Sequence, residues 1–468
     1  MNNPVKKKQA GYIGNTNLLL IALASAFFSR MLMLVKIPSF INFLHFLVVP
    51  FACGVVIITS RSKNAQQIKI CRQISFALLL VLTVEVASAL LNQAGFINVV
   101  LYFLMFNESV MLLLAIVAVP MSEEKINRFR KYILGFGFFN LIFALIQRFV
   151  FRWDIRGRSP CLDLDGVDTI TGVFTCQGAG VIVSAAVSFA FVVYFLVAEK
   201  KFFWLRILAA IGCFLQIILA DAKQILIIGG VAFGLMSLVN LKNIKKTILI
   251  IIATIIGFQI FWWAMFNFEF LSAFAGWVKP ELYGPDGEAT QFKLFGINVI
   301  LSHLDSPLHY LLGLGPGHTV DRLGMVMLEE YGFLLDPLGA TRTNLPNEVW
   351  SMVTGSWLAN GSTMFSPFFS WAALWGDLGI LGLIAHLYLY LIIWRYIAVD
   401  QLSKYQMLTV FVTGFIQAGV QEPGTMLFIA SLLGLHWQET QYRIHSRLET
   451  SHYESRREHL SFNSNNNT

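Results

Sequence analysis

Charged residues are scarce in this 468-residue chain. Asp, Glu, Lys and Arg make up 13% of it, about half the share typical of soluble proteins, whereas 56% of the residues are hydrophobic. Many of the apolar runs reach the roughly 20 residues that an α-helix needs to cross a bilayer. The composition therefore excludes an ordinary soluble protein and predicts an all-α polytopic membrane protein.

Patterned cysteines are also missing. The five cysteines are scattered, with neither a CxxC pair nor histidines at zinc-binding spacing, and Asp163, Asp165 and Asp168 have no evident further metal ligands. We therefore predict no metal and no cofactor. Cys161 and Cys176 fall where an oxidising compartment is expected, and either a disulfide or two free thiols fits the sequence.

Twelve apolar segments predict about twelve transmembrane helices. The first follows Lys6, Lys7 and Lys8 and resembles a signal peptide, but a second apolar run follows at once, so we interpret the first as a retained span. Nine spans are expected in 1–266 and three in 368–440. The predicted spans are 17–35, 37–60, 73–91, 97–120, 132–151, 172–198, 204–220, 225–240, 247–266, 370–394, 405–421 and 425–438.

Positive charge indicates the orientation of these spans. The net charge of +7 does not indicate a nucleic-acid partner, because Lys and Arg occur in short clusters between apolar runs. With twelve spans these clusters fall on one side, as the positive-inside rule requires of the cytoplasmic face. Both termini are then cytoplasmic, a large loop in 267–367 faces outward, and the tail in 441–468 is expected to be disordered at its Asn/Ser-rich end.

The glycine-rich stretch 309–322 lies inside that outward loop. Its core, Gly313, Gly315 and Gly317 at alternate positions, predicts a tight turn whose backbone amides bind an anion. His318, Asp321 and Arg322 follow directly. The alternative is a Gly/Pro turn that only reverses the chain at the membrane surface.

Basic residues at three other outward positions are candidates for binding a diphosphate. Converging Arg and Lys side chains suit that ligand. Lys223 follows Asp221 in a loop too short to leave the membrane interface, where a local ion pair is the alternative. For the loop arginines the alternative is a solvated loop or contact with phospholipid headgroups. The candidates are Lys223 with Asp221; Arg152, Arg156 and Arg158; and Arg342.

Two further ionisable residues, Arg30 and Glu85, lie inside predicted spans. Such groups are usually functional or paired. Glu85 could belong to a proton relay, as a transporter would require, or to a structural pair inside the bundle.

The order of these features resembles that of the O-antigen polymerase and ligase superfamily of bacterial envelope glycosyltransferases. The resemblance covers roughly residues 132–394. It rests on four motifs in their order, combined with the twelve predicted spans and the single large loop. The motifs are Asp168-Thr169-Ile170-Thr171-Gly172-Val173-Phe174, Asp221-Ala222-Lys223-Gln224, Leu312-Gly313-Leu314-Gly315-Pro316-Gly317 and Gly376-Asp377-Leu378-Gly379-Ile380-Leu381-Gly382.

The resemblance implies a helical fold of the C type among glycosyltransferases and a site at the periplasmic face of the bacterial inner membrane. It implies transfer of glycan from undecaprenyl diphosphate without metal or nucleotide sugar, so the expected partners are that lipid-linked oligosaccharide, membrane lipids, and a flippase and chain-length regulator. A polymerase of oligosaccharide repeat units is the function expected. The ligase branch usually has a His-Asn pair where this chain has Phe365-Ser366, which puts ligase activity in doubt. A ligase and, outside the enzymes, a polysaccharide or lipid-linked sugar transporter are the alternatives.

His318 is the residue that we expect to accept the proton of the acceptor hydroxyl. It follows the glycine turn, and one helical turn would place it on a common face with Arg322. An imidazole titrates near neutral pH, as a general base should. Arg322 and Lys223 are the expected cationic catalytic groups, which together with Arg152 would share the diphosphate.

Cysteine labelling tests the predicted topology. Single cysteines near Gly287 and Asn347 should react with a membrane-impermeant maleimide added to intact cells. Cysteines near Lys125 and Lys245 should react only after the membrane is opened. Labelling of both sets from the same side would contradict the twelve-span arrangement.

Overall fold

The computed structural model describes residues 13–62, 64–156, 169–176, 179–199, 202–239, 244–268, 275, 278–361, 367 and 369–465. Within these residues every regular element is a helix. The longer helices are α1 Asn15–Phe27, α2 Leu44–Thr59, α3 Ala65–Asn92, α4 Phe96–Ala118, α5 Glu123–Ile146, α6 Gly180–Ala198, α7 Phe203–Leu219, α8 Lys223–Val239, α9 Ile244–Asn267, α10 Glu288–Ser302, α11 Leu345–Gly355, α12 Ser370–Tyr396, α13 Gln401–Ile416 and α14 Pro423–Asn465.

The helices α1–α9 and α12–α14 overlap with the twelve apolar segments of the sequence, although several begin or end seven or more residues away from the predicted bounds. In the described part, six helical segments are long and apolar enough to cross a membrane. A seventh is added if α1 and the 3₁₀ helix Ser29–Val35, bent by 53°, form one span. The helical class is thus confirmed and the long apolar helices are those of a membrane protein, while the count of twelve stays a prediction. α14 continues to Asn465, into the segment expected to be disordered.

Apolar side chains cover both the inside and the outside of the bundle. Phe27 of α1 packs edge-on against Phe174, at 5.1 Å between ring centroids, and against Phe428 of α14 at 5.6 Å. Leu47 and Leu90 are among many large apolar residues that remain exposed on outer helix faces. Such a surface is unfavourable in water and suits contact with lipid.

Helix α12 is interrupted where it meets the glycine turn. Gly379 has φ 64° and ψ −164°, so the helix breaks there, and α12 packs along α3. The turn lies backbone to backbone against the break: Leu314 N donates to Gly376 O at 2.9 Å, and Gly315 N donates to Asp377 O at 3.0 Å. The loop in 267–367 is thereby attached to the long apolar helices.

Gly313 should tolerate no side chain. Its φ is +72°, and a Cβ there would lie 2.3 Å from the carbonyl carbon of Asp377. Gly313→Ala should therefore destabilise the folded protein by more than about 3 kcal/mol, because backbone strain adds to displacement of the neighbouring backbone. Thermal unfolding of the detergent-solubilised protein measures this.

Gly339→Ala is the matched control. Gly339 also has a positive φ, 82°, but a Cβ there would meet no atom within 4 Å. Gly339→Ala should therefore lose only the about 1–2 kcal/mol of folding stability that a left-handed backbone costs a residue with a side chain. Equal losses of folding stability in the two variants would show that glycine is not required at position 313 by its close contact with α12.

Candidate functional site

Two backbone amides directly after the glycine turn donate hydrogen bonds to a side chain of the protein itself. Asp377 is fully buried at the break in α12. Its Oδ1 accepts hydrogen bonds from His318 N at 3.1 Å and from Thr319 N at 2.9 Å. A buried carboxylate needs such donors. In the described structure these two amides therefore donate to Asp377 and are not open to a ligand.

Polar side chains of α3 and α4 fix the rest of the turn. Asn92 Nδ2 donates to Gly313 O, and Asn98 Nδ2 donates to Pro316 O, both at 3.0 Å. Ser88 Oγ donates to Asp377 O at 2.8 Å. The turn is consequently held from three helices and provides a rigid base for the residues after it.

His318 is buried within this network. Its Nδ1 lies 3.0 Å from Leu314 O, and its Nε2 lies 2.9 Å from Thr341 Oγ1. Because Leu314 O can only accept, Nδ1 carries the proton and Nε2 is left to accept from Thr341. Burial lowers the pKa of His318, which keeps the imidazole neutral. Both ring nitrogens are therefore engaged in holding the loop.

A cavity of about 640 Å³ lies beside the turn, between the outward loop and the bundle. One end is charged and carries Asp321, Arg322 and Glu422. The apolar part of the lining includes residues of α6 and α8, such as Ile182 and Ile225. The cavity therefore combines charged and apolar side chains in one lining, as the site of an amphiphilic ligand does.

Two arginines share one carboxylate at the charged end. Glu422 Oε2 lies 3.2 Å from Arg30 Nη2 and 3.4 Å from Arg322 Nη1. Arg322 is also fixed through Gln421, whose side-chain Oε1 accepts from Arg322 N at 2.7 Å and whose carbonyl accepts from Arg322 Nη1 at 3.1 Å. Glu422 thus lies between two guanidinium groups, and Asp321 and Glu330 line the same cavity.

Asp321 contributes a carboxylate to the same end. Its Oδ1 accepts from Gly324 N at 2.7 Å, whereas Oδ2 has no hydrogen-bond partner among the described residues. The side chain is almost completely buried. Burial raises the pKa of Asp321 to about 7, so the carboxyl exchanges its proton near neutral pH.

Lys223, Arg152 and Arg342 do not line this cavity. Lys223 begins α8 and lies 2.9 Å from Asp221, which is the local ion pair considered as its alternative. Arg152 is exposed after α5, at a left-handed φ of 52°. Arg342 forms ion pairs inside the loop, at 2.7 Å to Asp336 and 3.8 Å to an exposed Glu329.

Arg158 and the side chain of Arg156 lie outside the described residues. Arg156 ends the short helix Trp153–Arg156. Cys176 is disulfide-bonded, and its suggested partner Cys161 also lies outside the described residues. The disulfide alternative therefore holds for Cys176.

Sequence reasoning did not find Glu422, and it treated Arg30 only as a span residue requiring a partner. The available signal was the position of Glu422, an acidic residue between two apolar segments. Glu85 of α3, in contrast, was noticed in the sequence, where a structural pair was one of its two alternatives. It is fully buried, and neither carboxylate oxygen has a hydrogen-bond partner among the described residues. Asp321 was noted beside Arg322 but was given no role of its own.

No protein-family model and no curated protein matches this chain.

Proposed function

We propose that the protein is a membrane glycosyltransferase that joins undecaprenyl-diphosphate-linked oligosaccharide repeats into an O-antigen, capsule or exopolysaccharide. The proposal includes twelve spans, a fold of the C type, and a site at the periplasmic face of a bacterial inner membrane with both termini in the cytoplasm. The cavity supports it most strongly. Its charged end suits a diphosphate, and its apolar wall of α6 and α8 suits the first isoprene units of the lipid.

Arg322 is the residue that we assign to the leaving group. The diphosphate gains negative charge as the bond from the sugar to its oxygen breaks, so a fixed positive charge stabilises the transition state more than the ground state. Gln421 and Glu422 hold the guanidinium in place before substrate arrives. Arg30 lies behind Glu422 and offsets its charge.

A proton-coupled transporter is the second candidate, and Glu85 is the observation that favours it. A carboxyl group buried inside a span without a hydrogen-bond partner is a feature of proton relays. The ligase alternative depends on the acceptor, which the cavity does not specify. Both alternatives predict cell phenotypes different from that of a polymerase.

Gene deletion separates the three functions. Loss of a polymerase should leave envelope glycolipids capped with single repeats. Loss of a ligase should leave long polymer free of its acceptor, and loss of a transporter should leave lipid-linked sugar in the cytoplasm. Gel electrophoresis of envelope and cytoplasmic fractions distinguishes these outcomes, and either of the last two would contradict the proposal.

Complementation of the deletion with Arg322→Ala tests the assigned residue. The rate of polymerisation should fall by about 10²-fold or more, the usual consequence of losing one preorganised electrostatic group. Lys223→Ala should have a smaller effect, because Lys223 pairs with Asp221 away from the cavity lining. Arg128→Ala, on the predicted cytoplasmic side, controls for insertion. Normal polymer from Arg322→Ala at equal protein level would refute the assignment.

A further inference from the structure

One part of the polar loop carries large apolar side chains on its surface. This part, residues 332–338, consists of the short helix Gly332–Leu335 and a 3₁₀ turn that follows it directly, and we call it the apolar turn. Phe333 is 70% exposed, and Leu334 and Leu338 are exposed as well. Several large apolar side chains close together on a surface mark a site that another apolar body covers.

The apolar turn lies next to the beginning of an apolar segment long enough to cross a membrane. The ring of Tyr331, directly before the turn, packs edge-on against the ring of Phe43, at 4.7 Å between centroids. Phe43 is the fifth residue of that segment, Ser39–Thr59, which includes α2. At the rise per residue of 3₁₀ and α-helices, Phe43 lies within about 10 Å of the segment's end. The apolar turn is therefore held where this segment leaves the bilayer.

The exposed apolar surface of the same segment continues to the turn. Leu47 and Phe51 on α2 are exposed, as residues in contact with acyl chains are. Phe40, at the beginning of the segment, is exposed too, and it lies three residues before the Phe43 ring that Tyr331 contacts. This continuity indicates that the acyl chains that cover α2 also cover the apolar turn.

Charged residues hold the turn in place and flank its apolar side chains. Arg342, which the sequence suggested as a diphosphate ligand, lies 2.7 Å from Asp336 and 3.8 Å from Glu329. Its Nη2 also donates to the carbonyl of Leu328. The apolar residues 333–335 thus lie between charged residues whose carboxylates are paired with one guanidinium. A polar flank of this kind suits the headgroup region of a bilayer.

We propose that the apolar turn is an interfacial membrane anchor and that Phe333 inserts among the acyl chains together with its apolar neighbours. The proposal requires that Ser39–Thr59 crosses the membrane, and it does not depend on the proposed reaction. Glu330 and Tyr331, directly before the turn, line the cavity, as does Ser39. The anchor therefore holds this part of the cavity lining at the membrane surface, where a ligand carried by a lipid reaches it from the bilayer.

Photo-cross-linking of the full-length protein in phosphatidylcholine vesicles tests the proposal. Phe333→p-benzoylphenylalanine keeps an aromatic ring at this position and reacts with neighbouring C–H bonds on illumination. Mass spectrometry should find adducts with phospholipid, in a yield similar to that of Leu47→p-benzoylphenylalanine on α2. Asn347→p-benzoylphenylalanine, at an exposed polar position of α11, is the matched control. Its lipid adduct should be lower by about tenfold or more, the factor by which burial favours lipid over water for one large apolar side chain.

Leu338→p-benzoylphenylalanine repeats the measurement at a second exposed position, so that a folding failure at position 333 does not prevent the test. Lipid adducts at the two positions no more abundant than at Asn347 would overturn the anchor. Adducts mainly with a second copy of the chain would overturn it as well, because the turn would then be a protein interface.

The lipid composition separates apolar insertion from electrostatic attraction. The side chains of residues 333–335 carry no charge, so adding anionic phosphatidylglycerol to the vesicles should leave the adduct yield at Phe333 unchanged. Basic residues near the turn are Arg342, which is paired, and the exposed Lys36, which follows the 3₁₀ helix Ser29–Val35. A yield that requires phosphatidylglycerol would assign the membrane contact to these charges and overturn the apolar anchor.

Discussion

The hydrogen bonds of the buried Asp377 side chain are the interaction on which the position of the glycine turn depends. Its polar side chain lies inside the protein at a break in α12, and the amides of His318 and Thr319 are the donors that satisfy its Oδ1. Those amides can reach it because Gly313 and Gly379 let two backbones approach more closely than side chains would permit. These hydrogen bonds and the close backbone contact hold the polar loop at one position on the apolar bundle.

The contact between Asp377 and the glycine turn positions the candidate site. Asp321 and Arg322 follow Thr319 by two and three residues, so the same bonds that fix the turn place both side chains against the cavity. The bundle supplies the remaining groups, with Arg30 after α1 and Glu422 before α14. The charged residues thus come from three separate parts of the chain, and helices α6 and α8 add apolar residues to the same cavity.

Local patterns in the sequence predicted the helical class, the long apolar helices and the glycine turn, because hydrophobic runs and positive-φ glycines are local properties. They did not reveal what the turn binds, since Asp377 lies 58 residues after Thr319. The Arg30–Glu422 contact joins residues 392 positions apart. Lys223 illustrates a different difficulty. Its charge suggested ligand binding, but the side chain forms a local ion pair with Asp221, two residues earlier.

The central claim is that a lipid diphosphate occupies the cavity with its head at Arg322. Cryo-electron microscopy of the full-length protein in lipid nanodiscs with undecaprenyl diphosphate tests this most directly. The account predicts diphosphate density within hydrogen-bonding distance of the Arg322 guanidinium and lipid density along α6 and α8. Diphosphate density at Lys223 or Arg152, with an empty cavity beside Arg322, would contradict it.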